Sequence, residues 1–172
     1  MLKSKNFVCL VVAGLLLHGF RSAPLYAQEK LSSVAQKAQS IVEAAHAYIS
    51  ENSEDMDAVQ KALEKDPRFR DDEKELYIFM HRYDIEKKEA VCCGQGIRPE
   101  LLGKNMWQLR TPTGRLLFYE IAELVEKEGK GWLEYEWLNP YKRKIQIKVS
   151  YVMKIVLKNG QKAWVGCGFW KE

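Results

Sequence analysis

The chain has 172 residues, a length that suits one compact domain rather than two. Its formal net charge of +4 falls to about +1 once Lys3, Lys5 and Arg21 of the first 27 residues are set aside. Lysines and glutamates are interspersed along the rest, and the one basic cluster, residues 142–144, is short. This charge pattern is typical of a solvated surface and argues against nucleic-acid binding.

Residues 1–27 have the three-part pattern of a secretory signal peptide. Lys3 and Lys5 give a positive start, an apolar run follows at residues 7–17, and a more polar stretch ends at Ala27. The apolar run is too short to cross a bilayer comfortably. We therefore predict cleavage after Ala27 and a periplasmic or secreted domain of residues 28–172. The alternative is an uncleaved membrane anchor.

Three cysteines remain after the signal segment: Cys92, Cys93 and Cys167. In an oxidising compartment an odd number leaves at least one thiol free or paired between chains. None of the three has the spacing of a zinc, haem or thioredoxin-like motif, so no metal and no cofactor are predicted. Cys92 and Cys93 form either a strained vicinal disulfide or two small apolar residues on opposite faces of a strand.

Two helices are predicted after the signal segment. Between residues 31 and 50, apolar residues recur at three- and four-residue spacing, which predicts an amphipathic helix capped by Ser32 or Ser33. The alanines on this stripe favour close packing against a flat surface such as a sheet. A shorter helix is predicted for residues 55–65, and Pro67 prevents its simple continuation.

Two strands and a further helix come next. The aromatic-rich segment 76–83 and the segment 89–94 predict a hairpin joined by a polar turn. An irregular segment rich in glycine and proline then leads to a helix over residues 115–128, which Gly129 ends.

Three strands complete the chain, at residues 131–137, 145–157 and 163–170, and Asn159-Gly160 is a strong hairpin signal between the last two. The closely spaced strands favour a mainly antiparallel sheet of five. The order of elements predicts an α+β fold in which the long N-terminal helix covers one face of that sheet.

Five segments in this order resemble the single Cache domains, which are PAS-like extracytoplasmic sensor modules that receive small molecules for bacterial chemoreceptors and kinases. The segments are LYIFMHRYD (76–84), RPELLGKNMWQLRTPTG (98–114), GWLEYEWLNP (131–140), KVSYVMKI (148–155) and AWVGCGFW (163–170). The resemblance covers nearly everything after the signal. It implies a five-stranded PAS-like sheet, with a ligand pocket between the sheet and the loops and short helix over it.

This chain departs from the family pattern at two places. Many relatives carry a histidine at the end of the second strand, where Gln95 stands here. The loop before the short helix often holds an aspartate ahead of its glycine, where this chain has Thr111-Pro112-Thr113-Gly114. The family's ligand contacts are therefore not carried over to these positions. The chain also stops at Glu172, directly after the last strand, so we expect a stand-alone module.

A pocket for a small organic anion needs a cation or several donors, and rigid apolar walls that exclude water. The resemblance directs attention to aromatic residues of the strands and to the lysine near Ser150. The candidate ligand-binding residues are Tyr77, Phe79, His81, Trp107, Tyr135, Trp137, Lys148 and Tyr151.

Strand geometry constrains these candidates. Tyr77, Phe79 and His81 share one face of their strand, as Tyr135 and Trp137 share one face of theirs. Lys148 and Tyr151 have an odd separation, so both can face the ligand only if a bulge intervenes. The aromatic residues could equally be core, and Lys148 could lie on a solvated face. Trp107 is a candidate lid. If Tyr135 contacts ligand, Tyr135→Ala should abolish binding with the fold intact.

The predicted function is reversible capture of a small polar metabolite, a short organic acid fitting best, for sensing in chemotaxis or signal transduction. The alternative is an accessory protein that docks on a membrane receptor or another exported partner through an exposed sheet edge. An enzyme is not predicted, because the only histidine bases after the signal, His46 and His81, have no nucleophile motif near them. Membrane contact is expected only if the signal stays uncleaved.

Overall fold

The computed structural model describes residues 32–171, so the predicted signal segment and its cleavage site lie outside the described residues. Its helices are α1 (Ser33–Asn52), α2 (Met56–Lys65) and α3 (Leu117–Glu128). The hydroxyl of Ser32 caps α1, as predicted, by accepting a hydrogen bond from the backbone N–H of Ala35 at 3.3 Å. No helix within this described range is long and apolar enough to cross a membrane.

The strands are β1 (Arg70–Asp71), β2 (Leu76–Asp84), β3 (Glu89–Gln95), β4 (Lys130–Asn139), β5 (Lys144–Val156) and β6 (Lys162–Trp170). They form one antiparallel sheet in the order β3-β2-β6-β5-β4, and β1 pairs with the first two residues of β2. The predicted PAS-like α+β fold is confirmed. Strand β1 was not predicted, because a strand of two residues has no periodicity to detect.

One face of the sheet is covered by α1 and α2. Ala38, Ala45 and Ile49 are buried there against Ile78 and Met80 of β2. The small alanines allow the helix backbone to approach the sheet closely, as the alanine stripe predicts. This face holds an apolar core continuous from α1 to β5 and β6.

The other face is covered by α3 and by the irregular segment between β3 and α3. Part of that segment runs along the edge of β3, where Asn105 accepts backbone hydrogen bonds from Ala90 and Trp107, both at 3.0 Å. Asn105 thus fixes the loop, and the loop covers an otherwise open strand edge. Gly129 ends α3 with the positive φ of 75° that glycine adopts readily.

The three cysteines of the described chain are free thiols. Between β2 and β3 the register shifts at Met80/His81, so Cys92 pairs with His81 while Cys93 is the extra residue of a bulge. The structure therefore supports the interpretation of Cys92 and Cys93 as small apolar residues and not as a vicinal disulfide. Burial raises the pKa of Cys92 to about 11 and that of Cys167 to about 12, which keeps both thiols protonated.

Candidate ligand-binding site

A cavity of about 40 Å³ lies between the sheet and its cover of α3 and the irregular segment. The strands β2, β4 and β5 supply its sheet wall, and Leu117, Phe118 and Ile121 of α3 lie over it. Six of the eight predicted ligand-binding residues line this cavity: Tyr77, Phe79, His81, Tyr135, Trp137 and Lys148.

Two predicted residues do not line the cavity. Tyr151 lies on the opposite face of β5, where its ring packs 5.0 Å from that of Trp132 in the core beneath α1. Strand β5 is regular at this point, so the odd separation from Lys148 puts the two side chains on opposite faces. Trp107 is buried against Tyr119, at a ring distance of 5.6 Å, while the preceding residue, Met106, reaches the cavity.

Lys148 is the cation of the site and lies inside the protein, only 2% exposed. Its Nζ donates a hydrogen bond to the hydroxyl of Tyr77 at 2.9 Å. It also lies over the faces of the rings of Tyr77 and Trp170, 4.0 and 4.9 Å from their centroids. These contacts hold an ammonium group among aromatic rings, so the solvated-face alternative does not apply.

No carboxylate within residues 32–171 pairs with Lys148. Burial lowers the pKa of Lys148, because removal from water disfavours the charged form. Lys154 lies six residues further along the same face of β5, and it has the partner that Lys148 lacks: its Nζ is 2.7 Å from a carboxylate oxygen of Glu126. The cavity therefore contains a desolvated cation that the protein leaves without a counter-charge.

Tyr135 lines the cavity opposite Lys148 on the β4–β5 ladder, and its hydroxyl is hydrogen-bonded to that of Ser150. Their side-chain oxygens are 2.9 Å apart and both residues are buried. Burial is the main cause of the raised pKa of Tyr135, so its phenol stays neutral. The neighbouring strand leaves room for this pair, because a Cβ on Gly168 would lie 2.1 Å from the Ser150 hydroxyl oxygen.

His81 lies at the other end of the cavity, among aromatic rings. Its imidazole is 4.9 Å from the ring of Phe118 and is stacked at 5.6 Å on that of Trp164. Burial lowers the pKa of His81 to about 3, so the ring is neutral at physiological pH.

Sequence reasoning did not include several cavity residues. Gln95 was noted only as a departure from the family pattern, yet its position at the end of β3, opposite Phe79, places it in the cavity wall. Leu101 and Met106 come from irregular backbone, which has no periodicity to indicate where a side chain points. Phe118 of α3 was not among the predicted site residues, and its ring contacts both His81 and Trp137.

The cavity reaches the surface beside the β4–β5 hairpin. Leu138 lines it and is 46% exposed, and Arg98 lines it from the other side while pairing with Glu100 at 2.7 Å. A small solute thus has an entrance flanked by one apolar side chain and one guanidinium.

This arrangement offers a small molecule one buried cation, neutral polar side chains and aromatic walls. Within residues 32–171 no group of three or more His, Cys, Asp and Glu side chains is placed to hold a metal ion. His46 lies on α1, beyond the sheet from the cavity, and its Nε2 is 3.0 Å from the carbonyl oxygen of Lys154. The two histidines of the domain therefore do not share a site.

An antiparallel sheet with helices on one face and a small polar-aromatic cavity on the other defines a PAS-like ligand-binding module. The model of one family, described as the Cache domain, matches residues 22–157. The chain belongs to the Cache family.

Solved structures with the same fold come from sensory proteins. A "periplasmic sensor domain of chemotaxis protein" has a TM-score of 0.65 and 24% identity, covering 83% of this chain and 100% of that one. A Cache chemosensory domain described as recognising carboxylic acids has a TM-score of 0.62 and 18% identity, over 81% and 94% of the two chains. A methyl-accepting chemotaxis protein from Vibrio parahaemolyticus RIMD 2210633 has a TM-score of 0.60 and 16% identity, over 78% and 86%.

Proposed function

We propose that this protein is an exported sensor-type module that reversibly binds a short organic acid. The observation that carries the proposal is Lys148, a buried ammonium group in the cavity with no carboxylate partner among residues 32–171. A buried charge is costly unless it is paired, and a ligand carboxylate would supply the missing pair. The likeness to a carboxylic-acid-recognising Cache domain supports the same ligand class.

The walls of the cavity suit the rest of such a ligand. Phe79, Trp137 and Ile121 offer rigid apolar surface, and the phenol of Tyr135 adds a donor beside the ammonium group. Charged hydrogen bonds formed in so dry a site are stronger than those formed in water.

The volume of the cavity limits the size of the ligand. A single water needs roughly 10–15 Å³ of such space, and the cavity offers about 40 Å³. The site therefore suits an acid of about two to four carbons. Larger acids would require α3 or the irregular segment to move.

The export signal places the site outside the cytoplasm in this proposal, with residues 1–27 removed and residues 28–172 forming the ligand-binding domain. Binding is the whole of the activity proposed, with no chemical change to the ligand. The bound state would be read by a signalling partner in chemotaxis or a related response.

The test is a thermal-shift titration of the purified protein with short monocarboxylates, using the corresponding primary amides as uncharged controls. A ligand that binds only the folded state stabilises it by about 2.7 kcal/mol at one hundred times its dissociation constant. The acids should raise the melting temperature in proportion to log concentration, while the amides should not. Equal shifts from acids and amides, or none from either, would refute the proposal.

A second function, docking on a protein partner, is favoured by one further observation. Leu138, Tyr141 and Ile145, on the β4–β5 hairpin beside the cavity entrance, are 45–52% exposed, an unusual group of large apolar side chains. A partner bound there would touch the hairpin that borders the ligand. Replacing Tyr141 and Ile145, which do not line the cavity, with serine should leave ligand affinity unchanged while abolishing co-purification of a receptor. Unchanged co-purification would reject this surface.

A further inference from the structure

Two polar side chains at the cavity lack any hydrogen-bond partner, and neither is used by the binding of a carboxylate at Lys148. They are His81, 3% exposed, and Gln95, 5% exposed. The Nδ1 of His81 and the Oε1 of Gln95 are buried without a partner in the described chain. Buried polar groups in folded proteins are nearly always hydrogen-bonded, so two in one cavity indicate a partner from outside the chain.

Gln95 is held in place by its backbone. The side-chain amide of Gln60, on α2, brackets it: Gln60 Nε2 donates to the Gln95 carbonyl at 3.0 Å, and Gln60 Oε1 accepts from the Gln95 N–H at 2.8 Å. This pair of bonds imitates one rung of a further strand at the end of β3. The backbone is therefore fully satisfied, while the side chain is left free to interact in the cavity.

The imidazole of His81 lies beyond the Phe79 ring from the cation along β2, and Gln95 lies beside that ring. Lys148 Nζ is 5.4 Å from the centroid of the Phe79 ring, and the imidazole of His81 is 6.2 Å from it on the other side along β2. Gln95 pairs directly with Phe79 across the β2–β3 ladder. A small molecule lying over this ring would reach the ammonium group with one end and the amide or imidazole with the other.

The chemistry of these groups defines what the second end of the ligand must carry. A neutral imidazole presents one N–H and one lone pair, and a primary amide presents donors and an acceptor. A hydroxyl complements both, because it donates and accepts at once. An ammonium only donates, a keto oxygen only accepts, and a methyl group would leave both side chains unpartnered.

We infer that Gln95 and His81 form hydrogen bonds with a hydroxyl group of the ligand. The cavity therefore selects short hydroxy acids over unsubstituted acids of the same length. This inference rests on the proposed function, because it takes the carboxylate to be held by Lys148. Gln95 and His81 are specificity-determining residues in this account.

The test is isothermal titration of the purified protein with propanoate and with 3-hydroxypropanoate, whose hydroxyl lies at the end of the chain opposite the carboxylate. The wild type should bind the hydroxy acid at least about tenfold more tightly, because a site built for a hydroxyl leaves its own polar groups unpaired when the ligand lacks one. Gln95→Met, which keeps the length of the side chain without the amide, should remove this preference, because it should weaken the hydroxy acid more than propanoate.

The outcomes separate this inference from the proposed function. Equal affinity of the wild type for both acids, or an equal loss of affinity for both in Gln95→Met, would overturn the inferred recognition of a hydroxyl. Either result would leave the carboxylate site intact. Binding of neither acid would refute both. Lys148→Met is the matched control, expected to lose both acids to the same extent. The ratio of the two wild-type affinities is measured without a variant, so it tests the inference even if Gln95→Met fails to fold.

Discussion

The two faces of the sheet are built from alternate residues of the same strands, yet they differ in chemistry. On the α1 face, Ile78 and Met80 of β2 meet an apolar core. On the cavity face, Tyr77 and His81 of the same strand line a space that also holds the ammonium group of Lys148. Neighbouring residues of the same strand therefore point alternately into a dry apolar core and into a polar cavity.

The difference separates stability from function. The α1 face gains free energy from close apolar packing, whereas the cavity face leaves a cation, an imidazole and an amide buried without adequate partners. Such groups lower the stability of the free protein and persist where function needs them. Truncating a buried apolar residue on the α1 face should therefore lower stability and leave ligand affinity unchanged. Replacing the buried cation on the cavity face should raise stability and lower ligand affinity.

Lys148→Met should give the largest effect. It removes the cation and fills the same volume with an apolar chain, so short acids should lose at least about a hundredfold in affinity, as expected for a buried charged hydrogen-bond pair. The free protein should become more stable by about 1–4 kcal/mol, since an unpaired buried charge is lost. Titration calorimetry and urea unfolding measure the two effects.

The matched control for Lys148→Met is Lys144→Met, at an exposed position of the same face of β5. It should change neither affinity nor stability appreciably. A loss of stability in Lys148→Met would contradict the view that this residue is retained for binding.

Ile49→Ala probes the opposite face. Ile49 is fully buried beneath α1, and its truncation should lower the free energy of unfolding by about 2–5 kcal/mol through lost burial and a residual cavity. Ligand affinity at low temperature, where the variant is still folded, should be unchanged. Weakened binding in the folded variant would show that the two faces are not independent.

Gly168→Ala should give a smaller loss, on the cavity face. The added Cβ would lie 2.1 Å from the Ser150 hydroxyl oxygen and 2.6 Å from the Val149 carbonyl oxygen. Overpacking of this kind costs about 1–3 kcal/mol. Gly131→Ala is the control, because its nearest contact is the flexible side chain of Leu124 at 3.0 Å. Equal unfolding curves for the two variants would argue against steric crowding between Gly168 and Ser150.

Tyr135→Phe should have the smallest effect. It removes only the hydroxyl that bonds to Ser150, which should cost about 0.5–1.5 kcal/mol of stability and weaken acid binding a few-fold. Phenylalanine is a sharper test than alanine, because Tyr135→Ala would also empty a buried ring position. Unchanged acid affinity in Tyr135→Phe would remove the phenol from the site.

The sequence predicted the fold well because strand alternation and helix periodicity are local signals. The shared face of Tyr77, Phe79 and His81 follows directly from alternation, and the structure bears it out. Alternation also predicted that Lys148 and Tyr151 face opposite ways. It did not tell which of them faces the ligand, because that depends on which face of β5 the helix α1 covers.

The rest of the site depends on contacts between distant segments. Gln95 enters the cavity because Gln60, 35 residues earlier, holds its backbone at the end of β3. Met106, and not the larger Trp107, lines the cavity, because the turn fixed by Asn105 places the Met106 side chain there. No periodic pattern encodes either arrangement.

The central claim is that protonated Lys148 holds the ligand carboxylate, and the pH dependence of acid affinity tests it most directly. Binding favours the charged lysine, so the affinity for propanoate should fall as the pH rises through the pKa of Lys148, which burial lowers below the ordinary 10.5.

Other cavity groups are silent in this pH range, because burial raises the pKa of Tyr77 and of Tyr135 and lowers that of His81 to about 3. Calorimetric titrations of wild-type protein from pH 6 to pH 10 should therefore give one descending limb, which is absent in Lys148→Met. An affinity that stays constant to pH 10 in the wild type would contradict the account.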